Sequence, residues 1–303
     1  MKWVVGAGDG GTVGEVLSLA RADERAVDEG RVFVGSRRVR RADEKVHAGD
    51  VVNVAAPDAG RAAGVTILVR TDDLVAADKP AGIPTIPDHG GSAHALLASV
   101  ARVLDVDPAR LHPTSRLDRD VSGVVVFALT IAGRERLAAA RAAGAYERRY
   151  VAIASKAPSP DRGTWDAPIG RARDPRLRAA NGRDPVPART RYALVACAPG
   201  GAALLAVAPV TGRTHQIRVH AAHAGVPLVG DRSYGGAVRV TLPSGRVLQP
   251  GRVALHAARV VVPAPDGAPL VIVSPLPPEL HELWSALGGD RAAWEGSSSC
   301  ELS

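Results

Sequence analysis

Cysteine is nearly absent from this chain: Cys197 and Cys300 are the only two in 303 residues. Two thiols build neither a disulfide framework nor a thiolate zinc site, and their scarcity fits a reducing compartment. Long apolar runs are missing as well. Met1-Lys2-Trp3-Val4-Val5-Gly6 holds no signal-peptide core, and no stretch approaches the roughly 20 apolar residues that span a bilayer. The expectation is a cytoplasmic protein, monomeric, engaging no membrane. Lysine is scarce too, at positions 2, 45, 79 and 156 only, so the cations are almost all arginine.

The 38 Lys and Arg outnumber 31 Asp and Glu, for a formal net charge of +7. A balance of this sign points to a polyanionic partner, most often nucleic acid. Arginine favours planar contacts with phosphates and bases over diffuse attraction, although the abundance of Ala and Gly also marks a GC-rich coding bias. A hydrophobic fraction of 46% is enough for a sizeable core, and the length suits one large domain plus a small one.

Residues 12–57 read as a compact module. Val13 to Ala26 predicts a helix, and Gly30-Arg31-Val32-Phe33-Val34-Gly35 a short strand closed by glycine. Val51-Val52-Asn53-Val54 predicts a second strand after the Gly49-Asp50 turn, with Arg37, Arg38, Arg40 and Arg41 between the two. The Ala/Gly/Pro/Asp-rich stretch that follows reads as a linker. The boundaries drawn are a small domain over 1–58, a linker at 59–64, a second domain over 65–288 and a frayed Gly/Ser-rich tail over 289–303. In the second domain, 65–69 and 74–77 read as strands, 94–104 and 131–144 as helices, and 150–262 as mostly strands and loops. No regular βαβ repeat is evident. The fold class is therefore α+β: a mixed, largely antiparallel sheet with flanking helices, beside a small N-terminal α/β module. Seven arginines in 171–191 mark a basic loop or loose hairpin suited to phosphate contacts.

The chemistry concentrates at Arg116-Leu117-Asp118-Arg119-Asp120-Val121-Ser122-Gly123, which runs into the apolar Val124-Val125-Val126-Phe127-Ala128-Leu129. A carboxylate between two guanidiniums at the entry to a buried strand is where a nucleophile or acid/base group sits on a rigid scaffold. Asp120 reads as a turn residue. A second constellation is Gly212-Arg213-Thr214-His215-Gln216-Ile217-Arg218-Val219-His220, whose Ile217 and Val219 alternate with polar neighbours as a strand would. It continues to Gly230-Asp231 and Tyr234-Gly235-Gly236. His215, His220, His223 and Asp231 are metal-ligand types, but their spacing matches no zinc signature, and on a strand His215 and His220 face opposite sides. No metal is expected.

These segments resemble the motifs of the RluA-type pseudouridine synthases. "RLDRDVSG" is similar to that family's catalytic motif and "GRTHQIRVH … GVPLVGDRSYGG" to its third motif. Asp78-Lys79-Pro80-Ala81-Gly82, Arg148-Arg149-Tyr150-Val151-Ala152 and Leu255-His256-Ala257-Ala258 resemble three further motifs, in the same order, so the resemblance covers about residues 65–280. Ser115, Val121 and Arg148 stand where many members have His, Thr and Lys. The resemblance implies an RNA pseudouridine synthase that needs no cofactor, with Asp118 as the catalytic carboxylate. It further implies Arg218 as the partner of that carboxylate and Tyr150 as a ring stacked on uracil that assists proton removal from C5. Ile217 packs on the same ring, and Arg116 and Arg119 help displace the target base. Arg213, His215 and Gln216 complete the expected substrate contacts. The module over 12–57 resembles the S4 RNA-binding domain, with Gly35-Ser36 in place of the usual Asn-Gly. By analogy, the RNA is ribosomal first and tRNA second.

Two other readings stand beside this one. A non-catalytic RNA-binding protein could keep the fold. Gly6-Ala7-Gly8-Asp9-Gly10-Gly11 also matches G-x-G-x-x-G before a helix, the pattern of an NADP-binding oxidoreductase. That fold needs further βαβ units, which the sequence does not supply.

Overall fold

Short valine-rich runs broken by glycine turns build the N-terminal sheet. The computed structural model describes residues 2–20, 22, 25–28, 32–35, 37–39, 41–54, 65–87, 95–242, 245 and 247–300. Backbone contacts divide the chain into two units, residues 1–65 with 83–111, and residues 66–82 with 112–303. The segment 83–111 thus groups with the first unit rather than with the second domain drawn from sequence. The expected linker at 59–64 lies outside the described residues.

In the first unit, strands β1 (Lys2–Val4), β2 (Val32–Val34), β3 (Arg37–Arg38) and β4 (Val51–Val54) form a sheet in the order β1-β4-β2-β3. Helix α1 (Val13–Leu19) starts at a capping box, in which Thr12 and Glu15 satisfy each other's end of the first turn. It buries Val13, Val16 and Leu17 against Val32, Val39 and Val52. Helix α2 spans Arg25–Asp28, and helix α3 spans Leu96–Leu104.

The dinucleotide reading fails here for two reasons. Every strand pair in this sheet is antiparallel. Amides at both ends of the glycine loop are also already occupied: Asp9 accepts from the Gly6 amide, and Glu15 from those of Gly11 and Thr12. A phosphate would meet carboxylates where it needs free N–H groups. Arg37 and Arg38 lie in a strand rather than between strands. Arg37 pairs with Glu44 and Arg41 with Asp43, while Arg40 lies outside the described residues.

The second unit carries a ten-stranded sheet. Its strands are β5 (Thr66–Arg70), β6 (Leu74–Lys79), β7 (His112–Pro113), β8 (Ser122–Ala128), β9 (Glu147–Ala154), β10 (Arg162–Trp165), β14 (Thr190–Cys197), β15 (Ala203–Pro209), β18 (Leu255–Pro263) and β19 (Pro269–Val273), while β16 (Val240–Thr241) and β17 (Val247–Leu248) pair apart from it. The main path runs β10-β14-β15-β9-β18-β8-β6-β5, with β19 on β18 and β7 on β8. All pairs are antiparallel except β8 with β18, where Ser122 faces His256 and Gly123 faces Ala257. The mixed, largely antiparallel α+β expectation holds.

β8 is buried along its whole length, which is why it reads as an unbroken apolar run. Gly123 adopts φ +115°, and a Cβ there would stand 2.2 Å from the Ala257 carbonyl oxygen. Only glycine permits this close approach of the two strands. Helix α4 (Ile131–Ala142), capped by Thr130, packs Leu137 and Ala140 on Val126, Val260 and Ile272.

Three parts of the second unit depart from the sequence reading. The arginine-rich stretch is an ordered small sheet, β12-β11-β13, built from β11 (Ile169–Arg171), β12 (Arg178–Ala180) and β13 (Arg183–Val186). The segment after His215 is helix α5 (Gln216–His223), not a strand. Five of its eight residues are buried, among them Gln216 and His220. Burial on several faces hides the 3.6-residue period and leaves an accidental alternation.

The tail is folded at least to residue 300, and 301–303 lie outside the described residues. Helices α6 (Pro278–Ala286) and α7 (Arg291–Gly296) set Leu283, Trp284 and Trp294 against Val151, Ile153 and Leu204. Asp290 caps α7 by accepting from the Ala293 amide, and its carbonyl accepts from Trp284 Nε1 at 2.8 Å. Gly and Ser supply turns here, while two tryptophans supply the anchor. Trp294→Ala should lower stability by about 3–5 kcal/mol in urea denaturation. A frayed tail would leave the midpoint unmoved.

Candidate active site

The loop from Thr114 to Val121 is fixed by its main chain. Leu117 and Val121 are buried and act as anchors on either side of Asp118. The Arg119 carbonyl accepts from Lys79 Nζ at 3.0 Å and from the Gly82 amide at 2.8 Å. Arg252 Nη1 donates to the Asp120 carbonyl, and the Val121 amide to the Asp118 carbonyl. Thr114 Oγ1 donates to the Val126 carbonyl and lies 2.9 Å from the Tyr146 hydroxyl. At the loop's exit, Ser122 Oγ and His256 Nδ1 are 2.9 Å apart in the interior. Burial pushes the His256 pKa down to about 3, so this imidazole is a neutral structural partner. Asp118 is left at the rim with its side chain 24% exposed.

Arg218, in the first turn of α5, reaches Asp118 across 100 residues of sequence: Nη1 donates to Oδ2 at 2.9 Å. Its Nε and Nη2 both donate to Asp231, at 2.8 Å each, in a two-bond fork. The Asp231 side chain is 0% exposed. Burial works against the Arg218 charge, but Asp231 and Asp118 outweigh it and raise its pKa further. The guanidinium also lies over the Tyr234 ring, 4.9 Å from its centroid.

His215 precedes α5 with φ +57°, the left-handed region that non-glycine residues adopt where surrounding structure imposes it. Its Nδ1 is 2.7 Å from the Tyr234 hydroxyl, which accepts from the Arg178 amide at 3.0 Å. The Tyr234 proton therefore goes to Nδ1. Burial lowers the His215 pKa, so the network assigns a neutral ring with its proton on Nε2. That atom stands 3.9 Å from Asp118 Oδ1.

Tyr150 on β9 is buried, and its hydroxyl has no hydrogen-bond partner among the described residues. Burial raises its pKa, so the phenol stays protonated at neutral pH. Ile217 is buried in α5. Arg116 is exposed and engages no described residue, whereas Arg119 donates to the Gly82 carbonyl. Arg213 is exposed and donates through Nε to the Pro187 carbonyl.

Gln216, expected at the substrate, is instead used up inside the protein. Its Oε1 accepts from Thr211 Oγ1 and the Arg213 amide, and its Nε2 donates to the Arg189 carbonyl and Thr190 Oγ1. It fixes the 211–216 loop. A metal reading has no support among the described residues. Both ring nitrogens of His220 are taken, by Thr190 Oγ1 and the Ala167 carbonyl, and Asp231 belongs to Arg218.

Sequence reasoning gave Lys79, Asp231 and Arg252 no part in the site. Lys79 and Asp231 sat in quoted motifs, but nothing in their spacing told which main-chain or side-chain group they meet. Lys79 is 0% exposed, and burial, with Arg252 nearby, pushes its pKa to about 7 despite Asp120 and Asp118. Above that pH the native amine is neutral, while the unfolded chain keeps its proton up to the ordinary lysine pKa. Folding therefore releases a proton, and stability rises with pH across this window, by at most about 1.4 kcal/mol per unit. Urea midpoints measured from about pH 7 to 9 should show this rise in the wild type and lose it in Lys79→Met.

A family model described as RNA pseudouridylate synthase matches residues 73–223. The ribosomal large subunit pseudouridine synthase D of Xanthomonas campestris is 37% identical over 244 residues, covering 75% of this chain and 71% of that protein. An RNA pseudouridine synthase of Chloroflexus aurantiacus is 34% identical over 293 residues, covering 93% and 89%. Human RNA pseudouridylate synthase domain containing 1 superposes with a TM-score of 0.58 at 22% identity, over 77% of this chain and 97% of that one, a likeness of fold. Arg218 joins Asp118 within the span of that family model, and relatives at 34–37% identity match three quarters or more of the chain; the chain belongs to the RNA pseudouridylate synthase family, of the RluA type, and is an isomerase that converts uridine to pseudouridine.

Proposed function

We propose that this enzyme modifies large-subunit ribosomal RNA, with Asp118 as the reacting carboxylate. The observation that carries the reading is the chain Asp118–Arg218–Asp231, in which a guanidinium anchored on a buried carboxylate presents a second one at a rim. The choice of RNA is supported by the relatives named as acting on the large ribosomal subunit.

Isomerisation breaks the bond from uracil N1 to the ribose C1′, turns the base and joins C5 to C1′. The C5 proton leaves and N1 gains one, so no atom is lost and no redox step occurs. A carboxylate assists by attacking base or sugar, or by balancing positive charge on the sugar. Arg218 holds Asp118 Oδ2, leaving Oδ1 as the oxygen offered to substrate, with the His215 Nε2 proton beside it. The buried ring of Tyr150, its hydroxyl uncommitted, serves as the stacking face for uracil. As a protonated phenol it must lose its own proton before it can accept the one from C5. Arg116, exposed and unpaired, suits the role of filling the gap left by a flipped uridine. Residues 1–58 serve as an S4-like RNA-binding module, supported by the strand runs Val32–Val34 and Val51–Val54 where that pattern expects them.

Tritium release from RNA labelled at uridine C5 tests the reading. The wild type should release it, and Asp118→Asn should fall to background while still binding RNA. Binding without release by the wild type would sink the assignment in favour of a non-catalytic binder. Arg218→Lys cannot hold both carboxylates; kcat should drop by roughly 100-fold through misplacement of Asp118, with KM little changed.

A further inference from the structure

Arg136, Arg176, Arg252 and Arg291 each pair with a carboxylate, on Asp73, Asp174, Glu279 and Glu295. Arg141 and Arg148 do not: neither has a carboxylate partner among the described residues. Arg148 lies two residues before Tyr150 on β9, so the two side chains share one face of the strand. Its Nη2 donates to the carbonyls of Pro209 and Thr211, at 2.9 and 2.8 Å, while its Nε is buried without a partner. Arg141, at the end of α4, donates through Nη2 to the Thr114 carbonyl and lies over the Tyr146 ring. It is exposed.

The two guanidiniums converge. A Cβ on Gly212 would lie 3.4 Å from Arg148 Nη1 and 3.9 Å from Arg141 Nη1. Glycine leaves that space open, directly before the loop that delivers Arg218. Two like charges brought this close without a counter-ion repel. Main-chain carbonyls and an aromatic face hold each arginine in place without neutralising it. Their combined positive charge is complementary to an anion.

We infer that Arg141 and Arg148 form a phosphate site over Gly212 that grips a backbone phosphodiester of the substrate RNA beside the uridine presented to Tyr150. The inference rests on the proposed RNA substrate and adds a named contact to it. Planar guanidiniums with donors to spare suit a phosphate better than a carboxylate side chain would, and a fixed phosphate sets the register of the strand across the site. Gly212 then has a function beyond the turn: a side chain there would occupy the anion's position.

Fluorescence anisotropy with a fluorescein-labelled RNA hairpin bearing a uridine loop tests this, using the full chain. Arg141→Gln, at an exposed position, should weaken binding roughly tenfold. It should also lower the slope of log affinity against log salt by about one. A scan of neutral methylphosphonate linkages through the loop should find one linkage that weakens the wild type but leaves Arg141→Gln and Arg148→Gln indifferent. That pattern separates a direct contact from a brace on the 209–212 loop, which would weaken every linkage equally. In turnover, KM should rise in Arg141→Gln while kcat holds. Unchanged affinity and salt slope in both variants, or a loss uniform across linkages, would overturn the site. Lack of tritium release by the wild type would overturn the isomerase reading of this RNA instead, because anisotropy reads the contact without turnover.

Discussion

One guanidinium organises the catalytic side of this protein. Arg218 is shared between a carboxylate that never meets solvent, Asp231, and one at the rim, Asp118. The buried partner fixes the plane of the fork by two parallel bonds, so the remaining nitrogen can point in only one direction. Asp231 is therefore more than a counter-ion, because removing it would leave a buried charge with a single partner and free to tilt. Tyr234 closes the arrangement by offering its ring to Arg218 and its hydroxyl to His215.

Around that fork, polar side chains mostly serve the main chain. Lys79, Arg148, Arg252 and Gln216 spend their donors or acceptors on carbonyls and amides of the two loops that meet at Asp118. The geometry is thus made before substrate arrives, and binding energy need not be spent on ordering loops. The departures from the family pattern fit this division. Val121 keeps its amide bond to the Asp118 carbonyl whatever its side chain, and Arg148 uses two nitrogen–carbonyl bonds that do not require lysine. The structure offers no account of Ser115.

The contact of Arg218 with Asp118 was legible in the sequence because each sits in a motif with an ordered set of neighbours, and the α+β sheet was legible because β8 carries the apolar run Val124–Ala128. What was not legible depended on burial in three dimensions. Gln216 looked like a substrate contact because polarity at a site reads the same whether it faces a ligand or a loop. α5 looked like a strand because a short helix buried on several sides shows no clean period. The Gly/Ser-rich tail looked frayed because composition weighs every residue alike, whereas Trp294 is buried in the same core cluster as Trp284 and ties it down. The arginine-rich stretch has loop composition but sheet pairing, since its short strands are held by one another.

The parallel pairing of β8 with β18 joins Ser122 to His256, residues 134 apart in the chain, and the Asp118–Arg218 contact spans 100. Contacts of such separation carry the largest loop-closure cost and set a high contact order. Catalytic competence therefore reports on the whole sheet: the contact of Asp118 with Arg218 needs segments a hundred residues apart to be in place together, and the sheet is what holds them there.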